Sequence, residues 1–416
     1  MSGASVSGVS GASGVSAAPI EVVLSPIPIA QPATPAGVAA ELAAARACGL
    51  KVLPRGLGTR RGPAAAPAKV DRIVSTAKLT KVVEYEPGDQ TITVQAGVTL
   101  AELDALLLRS GQCLPVQQRA GTIGGLLATG ADGALDLGYG RLRDRLLGCT
   151  LALANGALVG GRGRVVKNVA GYDLPRLALG SLGTLGILVE ASLRVQPRPE
   201  AHTSLVFRFA TPDAAFAAAN ALLDGGLEPV FCDVLVSANV PDAGPALTTR
   251  LAFGFDGARS VVPQLIAAAD ELIGPHKPGT LELGAGEHDE ALRASLDDPR
   301  GAAVLRVQAD RTELPALAVG LASAAHGAGL KVRADARPGL GLLLLTVDPA
   351  PEPVVRALLD SARKAGPAVL LQGPAVLASP DEVWGPPPPD FALMQAIKRA
   401  LDADSVLAAG RYVGGL

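Results

Sequence analysis

The sequence predicts an α+β protein of two domains, and three observations support this prediction. Short strand candidates and helices occur together in both halves of the chain. Pro197 and Pro199 separate the halves, directly after a strand of nearly alternating apolar residues. With 416 residues, 49% of them hydrophobic, the chain is long enough to fill two cores. We therefore expect a disordered tail at 1–18, a first domain at 19–198, an α+β domain at 199–383, and at 384–416 a linker and a helix that returns to the first domain.

The chain begins with a tract of Ser, Gly, Ala and Val at 1–18, which has no apolar face and favours disorder. The pair Thr34 and Pro35 is typical of a helix start. A strand follows at 50–53 and should end at Pro54, because proline cannot donate to a strand ladder.

Cap and turn residues delimit the other elements of the first domain. The spacing Thr99-x-x-Glu102 predicts a capping box at the start of a helix. The dipeptide Asn155-Gly156 predicts a type I′ turn between two strands. The predicted strands are 71–76, 81–86, 91–96, 146–154, 157–160 and 187–195, and a short helix is predicted at 172–179.

Beyond residue 199, strands alternate with Ala-rich helices, which predicts the second domain. The strands are predicted at 203–209, 250–255, 304–309 and 342–347, and the helices at 212–223, 262–273, 313–328 and 352–365. The prolines at 386–389 predict a stiff linker before a last helix at about 391–403.

Composition argues against several classes of function. The net charge of −2 provides no basic footprint for nucleic acid. No stretch offers the roughly 20 uninterrupted apolar residues of a membrane-spanning helix. The first basic residue is Arg46, too late for a signal peptide or presequence, so we expect a cytoplasmic protein. Because Cys48, Cys113, Cys149 and Cys232 are far apart, we expect neither an iron–sulfur cluster nor another metal on this chain.

Four glycine-rich segments predict a site for a diphosphate. A pyrophosphate needs several N–H donors directed at one spot, and only backbone without Cβ atoms approaches it closely. A single such loop is also an ordinary turn, whereas four of them, mostly near strand ends, favour a bound dinucleotide. The candidate residues are Pro54, Arg55, Gly56, Leu57, Gly58 and Thr59; then Gly121, Thr122, Ile123, Gly124 and Gly125, continued by Ala128 and Thr129; then Gly138 to Gly140, followed by Arg143 and Asp144; and finally Gly183 and Gly186, with Ile187.

The first glycine segment is not a Rossmann fingerprint. That motif opens a helix, whereas Pro63 and Pro67 break any helix shortly after Gly58. The Walker sequence of nucleotide-hydrolysing P-loops is also absent.

These segments resemble the FAD-binding proteins of the vanillyl-alcohol oxidase and p-cresol methylhydroxylase (PCMH) family, over about residues 20–198. Residues 53–59 are similar to the family's pyrophosphate loop, and 94–100 to its next strand and helix start. Residues 121–125 are similar to the stretch that passes the pyrophosphate and the flavin. The resemblance implies an α+β, two-subdomain FAD-binding fold with an α+β cap, in which the backbone of Ile187 lies near the adenine.

Residues 165–177 resemble a signature of the FAD-binding subunits of bacterial glycolate oxidase complexes. This implies oxidation of glycolate to glyoxylate, with a homologous catalytic flavoprotein subunit and an iron–sulfur subunit as partners. It also implies at most a peripheral association with the inner face of the cell membrane. The sequence departs from the wider family at two points: residues 326–329 replace a His-containing GDGN motif, and only Gly410 and Arg411 match the family's Asn-Pro-Gly-Arg tail.

Several roles stay open from sequence alone. Histidyl flavin linkage is excluded in the first domain because the first histidine is His202, whereas cysteinyl linkage through Cys113 or Cys149 stays open; non-covalent FAD is favoured. Arg143 and Asp144 form either a pair that supports the flavin site or a surface pair. No pattern identifies a catalytic base. The rival functions are a stand-alone FAD-dependent 2-hydroxyacid dehydrogenase and a cofactor-free assembly subunit.

Overall fold

The computed structural model of the chain describes residues 27–59, 65–116, 120–161, 173–239, 246–276, 278–279, 281–284 and 301–416. For 281–284 the description covers the backbone alone. The predicted disordered tail at 1–18 and residues 165–172 of the glycolate oxidase-like stretch lie outside the described residues, so both stay predictions.

Short elements make up the part of the chain before residue 200. The strands are β1 (Ile29–Ala30), β2 (Val52–Arg55), β3 (Arg72–Ser75), β4 (Val82–Glu86), β5 (Thr91–Gln95), β6 (Gln112–Cys113), β7 (Leu146–Ala152), β8 (Leu158–Gly161), β9 (Ile187–Arg194) and β10 (Gln196–Pro197). The helices are α1 (Pro35–Ala47), α2 (Leu100–Leu108), α3 (Ile123–Thr129), α4 (Asp136–Tyr139), α5 (Leu142–Arg145) and α6 (Leu174–Ala178).

Two larger sheets organise this part, and β6 and β10 form a separate antiparallel pair. One is parallel, in the order β1-β3-β2, and the other is antiparallel, in the order β4-β5-β9-β7-β8. Helix α1 joins them, because Val38 and Leu42 are buried in one cluster with Val74 of β3 and Val189 of β9. The end of β2 and the start of β9 are thereby held on neighbouring sheets.

Local signals in the sequence determine several of these elements. The Thr34 hydroxyl accepts a hydrogen bond from the Gly37 amide at 3.0 Å and caps α1. Both halves of the predicted capping box between Thr99 and Glu102 are present at the start of α2. The predictions of these caps are confirmed because each rests on contacts within one helical turn.

The prediction that Pro54 ends its strand is wrong. Strand β2 continues to Arg55, and Pro54 pairs with Val74 of β3. Because β2 lies at the edge of its sheet, proline fits here without breaking the ladder. The strand therefore ends two residues later than expected, at Arg55.

Longer elements make up the rest of the chain. The strands are β11 (Ala201–Phe209), β12 (Phe231–Ala238), β13 (Thr248–Gly257), β14 (Leu281–Gly284), β15 (Ala303–Gln308), β16 (Lys331–Arg337), β17 (Leu342–Asp348) and β18 (Ala368–Gln372). The helices are α7 (Pro212–Asp224), α8 (Val262–Ile273), α9 (Leu314–Gly327), α10 (Glu352–Ala365), α11 (Pro380–Trp384) and α12 (Phe391–Leu401). Short 3-10 turns lie at Pro87–Asp89, Gly274–His276, Ala375–Leu377 and Val413–Gly415.

Strands β11 to β18 form one antiparallel sheet in the order β14-β11-β13-β12-β16-β17-β15-β18. Helices α7 to α10 cover one face and bury its largest core cluster. We call this sheet and these helices the cap. The α+β fold with an α+β cap is the one predicted. Sequence analysis missed four strands of this sheet, β12, β14, β16 and β18. In β16 the apolar residues belong to the core cluster and alternate with Arg333, Asp335 and Arg337, which is the period-two pattern of a strand.

The helix-free face of the cap packs on residues that follow α3. The Gly138 amide donates to the Val230 carbonyl at 3.2 Å, and the Tyr139 hydroxyl lies 2.5 Å from a carboxylate oxygen of Asp256. Arg306 of β15 lies 2.6 Å from Asp132. The third glycine segment thus packs against the cap.

After α12 the chain returns to the first sheet. Leu407 forms a parallel bridge with Val52 of β2, supported by hydrogen bonds from Val52 to the Val406 carbonyl (2.7 Å) and from Ala408 to the Val52 carbonyl (2.9 Å). Among the described residues, no helix combines the length and the apolar character that crossing a membrane requires.

Candidate functional site

Three of the four predicted glycine segments line one cleft of about 290 Å³ between the two sheets of the first part. The sequence-predicted residues that line it are Pro54, Arg55, Gly56, Leu57, Gly58, Thr59, Thr122, Gly124, Gly125, Ala128, Thr129, Gly183, Gly186 and Ile187. The structure thereby brings together stretches that lie more than a hundred residues apart in sequence.

Because glycine has no side chain, the stretches around Gly56 and Gly183 can approach their neighbours closely. A Cβ atom on Gly56 would lie 2.6 Å from the Thr122 hydroxyl, and one on Gly183 would lie 2.9 Å from Cγ of Pro54. Gly183 also has φ of +75°, a conformation that glycine adopts without strain. The glycines therefore shape the cleft in two ways. Their lack of a Cβ atom lets the walls make contact, and no side chain projects from them into the cleft.

The segment at the start of α3 provides a wall with few free amides. Thr122 caps the helix by accepting from the Gly125 amide at 3.2 Å, while the amides of Ile123 and Gly124 donate to the carbonyls of Val98 and Ala96. The expectation that this whole segment offers bare amides is therefore wrong for three positions. The Ile123 side chain is buried in the core, and neither Ile123 nor Gly121 lines the cleft.

The first segment keeps its amides available. Within the described part of the chain, the backbone N–H groups of Gly56, Leu57 and Gly58 donate no hydrogen bond. Successive free amides at the end of a strand form the kind of concave donor site that accepts an anion.

Loop 181–187 is held in shape by its own hydrogen bonds. Leu182 has φ of +53°, and its amide donates to the Ala128 carbonyl at 2.9 Å. The hydroxyls of Ser181 and Thr184 donate to the carbonyls of Ala178 and Ser181, both at 2.7 Å. These bonds fix the loop against α3, so that Gly183 and Gly186 face the cleft with little freedom.

The charge of the cleft is one-sided. Its lining contains two charged side chains, Arg55 and Arg411, and no carboxylate among the described residues. Arg411 comes from the C-terminal end, where the Trp384 indole donates to the Arg411 carbonyl at 3.1 Å. Burial lowers the pKa of Arg411. An anion in this cleft would stabilise both guanidinium groups, so the site is built for a negatively charged ligand.

The structure does not bring Arg143 and Asp144 to the cleft. Helix α5 is a single turn that buries Leu142 and Arg145, which leaves the other two side chains exposed. Arg143 lies 3.7 Å from Asp144 as a surface pair, one of the two roles that the sequence left open. A basic residue next to a glycine segment was therefore an insufficient signal.

Sequence analysis missed other lining residues, which are Leu53, Ile73, Thr76, Leu151, Ala178, Ser181, Leu182, Leu188 and Arg411. A signal existed for Thr76, which directly follows β3 and donates through its amide to the Arg55 carbonyl at 2.8 Å. Residues that end neighbouring parallel strands share one edge of the sheet. The Gly410-Arg411 match to a family tail was the corresponding signal for Arg411.

Two thiols that had stayed open as flavin attachment sites lie away from the cleft lining. Burial raises the pKa of Cys149 to about 12, and burial also raises the pKa of Cys113. His326 contacts Asn239 at 3.2 Å near the end of α9 and does not line the cleft either.

The fold and this cleft define a flavoprotein domain. Residues 26–160 match the family model described as an FAD binding domain, and this range includes the first three glycine segments. A cleft with free amides, two guanidinium groups and apolar walls fits a long dianionic cofactor that carries flat rings. The chain thus contains an FAD-binding domain of the PCMH type, and its cofactor is FAD.

Three curated relatives make the comparison more particular. Glycolate oxidase subunit GlcE of Escherichia coli is 41% identical over 128 residues, which cover 30% of this chain and 37% of GlcE. Subunit GlcD of Bacillus subtilis is 31% identical over 187 residues (44% of this chain, 40% of GlcD). The D-lactate dehydrogenase of Archaeoglobus fulgidus is 33% identical over 189 residues (45% and 42%). The match thus covers less than half the length of each of these relatives.

A solved structure extends the likeness to the cap. An alkyldihydroxyacetonephosphate synthase superimposes with a TM-score of 0.69 over 91% of this chain and 75% of its own, at 17% identity. At that identity the likeness concerns the fold alone. It covers both the FAD-binding part and the eight-stranded sheet.

Proposed function

We propose that this protein is the FAD-binding subunit of a glycolate dehydrogenase complex, which oxidises glycolate to glyoxylate. The observation that carries the proposal is one cleft that three glycine segments line together with Arg55 and Arg411, and the described residues of this lining include no carboxylate. The matches to GlcE and GlcD support the choice of complex.

Within this proposal the residues of the chain have distinct tasks. The amides of Gly56 to Gly58 and the two guanidinium groups bind the diphosphate, while Leu53, Leu151 and Leu188 provide apolar walls. The bound flavin supplies the redox chemistry, which is the acceptance of a hydride and the delivery of electrons. The protein orients the cofactor and excludes water from it.

Two ion pairs on the helix-free face of the cap support a relay role over substrate binding. Binding a small hydroxycarboxylate calls for a cation that is not already neutralised. Here Arg306 is paired with Asp132 at 2.6 Å. Arg337 and Asp233, each 1% exposed, lie 3.2 Å apart. Since replacing such partners costs several kcal/mol, we place substrate oxidation on the homologous flavoprotein partner, with an iron–sulfur subunit as the next electron carrier.

Non-covalent FAD is part of the same proposal. Cys113 and Cys149 lie outside the cleft lining, and their raised pKa values keep them protonated and poorly nucleophilic at neutral pH. We further propose that the complex is cytoplasmic and at most peripheral on the inner face of the cell membrane.

A stand-alone FAD-dependent 2-hydroxyacid dehydrogenase is the second candidate function. The match to a D-lactate dehydrogenase over 189 residues favours it, because that match is as long as the one to GlcD. The third alternative, a cofactor-free assembly subunit, is set aside by the FAD-binding domain.

One purification distinguishes the candidates. The chain is expressed alone and also co-purified from its native cell, and flavin, iron and the oxidation of glycolate and D-lactate with an artificial acceptor are measured. We expect yellow protein that releases all its flavin on denaturation, is inactive alone, and gains glycolate oxidation with its partners. Turnover by the isolated chain would favour the second candidate, and a colourless chain that binds no added FAD would refute both.

A further inference from the structure

We propose that Lys398 is a positioning residue. It holds residues 402–411, which we call the C-terminal segment, against loop 181–187, and it thereby couples FAD binding to the position of this segment. The proposal rests on the proposed binding of FAD in the cleft. It assigns a role to a buried cation that does not itself line the cleft.

All three N–H donors of the Lys398 ammonium group are used where the C-terminal segment meets loop 181–187. Its side chain is 6% exposed, and Nζ lies 2.7 Å from the Thr184 carbonyl and 3.1 Å from the Leu407 carbonyl. The third contact is to the Asp402 carboxylate at 2.6 Å. An ammonium group has three N–H donors, so these three acceptors satisfy it completely.

Asp402 organises the C-terminal segment in turn. Its carboxylate is fully buried and accepts hydrogen bonds from the amides of Val406 and Leu407, both at 2.9 Å. The carboxylate therefore fixes the turn that brings Leu407 beside Val52. Beyond this pairing the segment reaches Arg411, whose side chain lines the cleft.

Lys398 consequently joins two walls of the cleft. On one side, Thr184 belongs to the loop that presents Gly183 and Gly186. On the other side, Leu407 pairs with β2, which leads into Gly56 and its free amides. Without the lysine, the Thr184 and Leu407 carbonyls and the buried carboxylate would lose their shared donor. The two walls would then no longer be held in fixed positions relative to each other.

This arrangement makes FAD and the C-terminal segment reciprocal ligands of the first domain. FAD binding needs both the loop and Arg411 in place. If the bound position of the C-terminal segment strengthens FAD binding by a given free energy, bound FAD must stabilise that position of the segment by the same free energy. A purely structural salt bridge would stabilise the domain equally with and without cofactor.

The test compares Lys398→Met with Arg399→Met, an exposed neighbour on the same helix. FAD dissociation constants of the full chain are measured by titration well below the unfolding midpoint. We expect Lys398→Met to weaken FAD binding roughly tenfold, a coupling in the usual range for linked sites. Arg399→Met should bind FAD as the wild type does. Asp402→Asn should weaken binding similarly, and the double variant should add little, because both residues act as one unit.

A second measurement needs no variant and therefore does not depend on the folding of Lys398→Met. Hydrogen exchange is followed at the amides of Val406, Leu407 and Ala408 in the wild-type chain, with and without FAD. We expect FAD to slow their exchange. The proposal is overturned if wild-type chain binds FAD without this protection, or if Lys398→Met binds FAD normally while unfolding at a lower temperature; the proposed function survives both results. A wild-type chain that binds no FAD overturns both.

Discussion

Gly183 touches Pro54 across the cleft: a Cβ atom on Gly183 would lie 2.9 Å from Cγ of the proline ring. The two residues are 129 positions apart in sequence. Pro54 belongs to β2, and Gly183 belongs to the loop that leads into β9 of the other sheet. Their contact closes one side of the candidate FAD site. It also shows why a glycine is required here for packing as well as for conformation.

The first prediction separates these two requirements. Gly183→Ala should lower the free energy of unfolding by about 1–2 kcal/mol from its left-handed backbone, plus about 1–3 kcal/mol from overpacking against Pro54. Gly180→Ala is the matched control, since Gly180 has φ of +73° but no atom within 4 Å of the added Cβ. Urea unfolding of the apoprotein and flavin content per chain measure both variants. Equal effects of the two substitutions would refute the packing argument.

The second prediction concerns the charges of the cleft. Each charged hydrogen bond contributes about 1.5–3 kcal/mol, so Arg55→Met or Arg411→Met should raise the FAD dissociation constant roughly ten- to a hundredfold. Fluorescence titration of the apoprotein at two salt concentrations measures this, and the salt dependence should fall with each arginine removed.

Arg143→Met is the control for this experiment. Arg143 lies in an exposed pair with Asp144 outside the cleft lining, so its removal should leave FAD affinity unchanged. If Arg143→Met weakened FAD binding as much as Arg411→Met, the Arg143–Asp144 pair would have to be part of the cofactor site.

The third prediction concerns the buried ion pair of the cap. Asp233→Asn leaves the Arg337 guanidinium in an interior position, where both side chains are 1% exposed, and should cost about 3–5 kcal/mol of unfolding free energy. Asp224→Asn breaks the exposed pair with Arg311 and should cost less than about 1 kcal/mol. Urea denaturation compares the two. A loss of similar size in both variants would show that burial does not govern these pairs.

The fourth prediction uses the thiols. Burial raises the pKa of Cys149 to about 12 and also raises the pKa of Cys232, whereas Cys48 is exposed. In native protein at neutral pH, a disulfide reagent should modify Cys48 quickly, Cys113 slowly, and the two buried thiols only after unfolding. Mass spectrometry of the labelled peptides gives the order. Rapid labelling of Cys149 in folded protein would contradict its burial.

Predictions from local sequence succeeded where a few adjacent residues set the backbone. The caps at Thr34 and Thr99 are examples, because the hydroxyl, the carboxylate and their amide partners lie within one helical turn. Pro54 shows the limit of such reasoning. A proline ends a strand only when a neighbour needs its amide, and the edge position of β2 removes that need.

Closeness in sequence did not predict which candidate residues line the cleft. Arg143 and Asp144 were candidates for the cofactor site because a glycine segment precedes them, yet they are not part of the cleft lining, and that segment contacts the cap through Gly138. Arg411 lies at the far end of the chain and does reach the cleft.

By itself, the sequence determined which loops line the candidate cofactor cleft, because glycine and proline restrict the backbone locally and leave a readable pattern in Pro54–Thr59, Thr122–Gly125 and Gly183–Ile187. Only the tertiary structure decided which charges meet those loops. Lys398 and Thr184 are 214 residues apart, and no local rule predicts a contact over that separation. Such contacts depend on the packing of the whole chain, which brings distant segments together only after their apolar faces are buried.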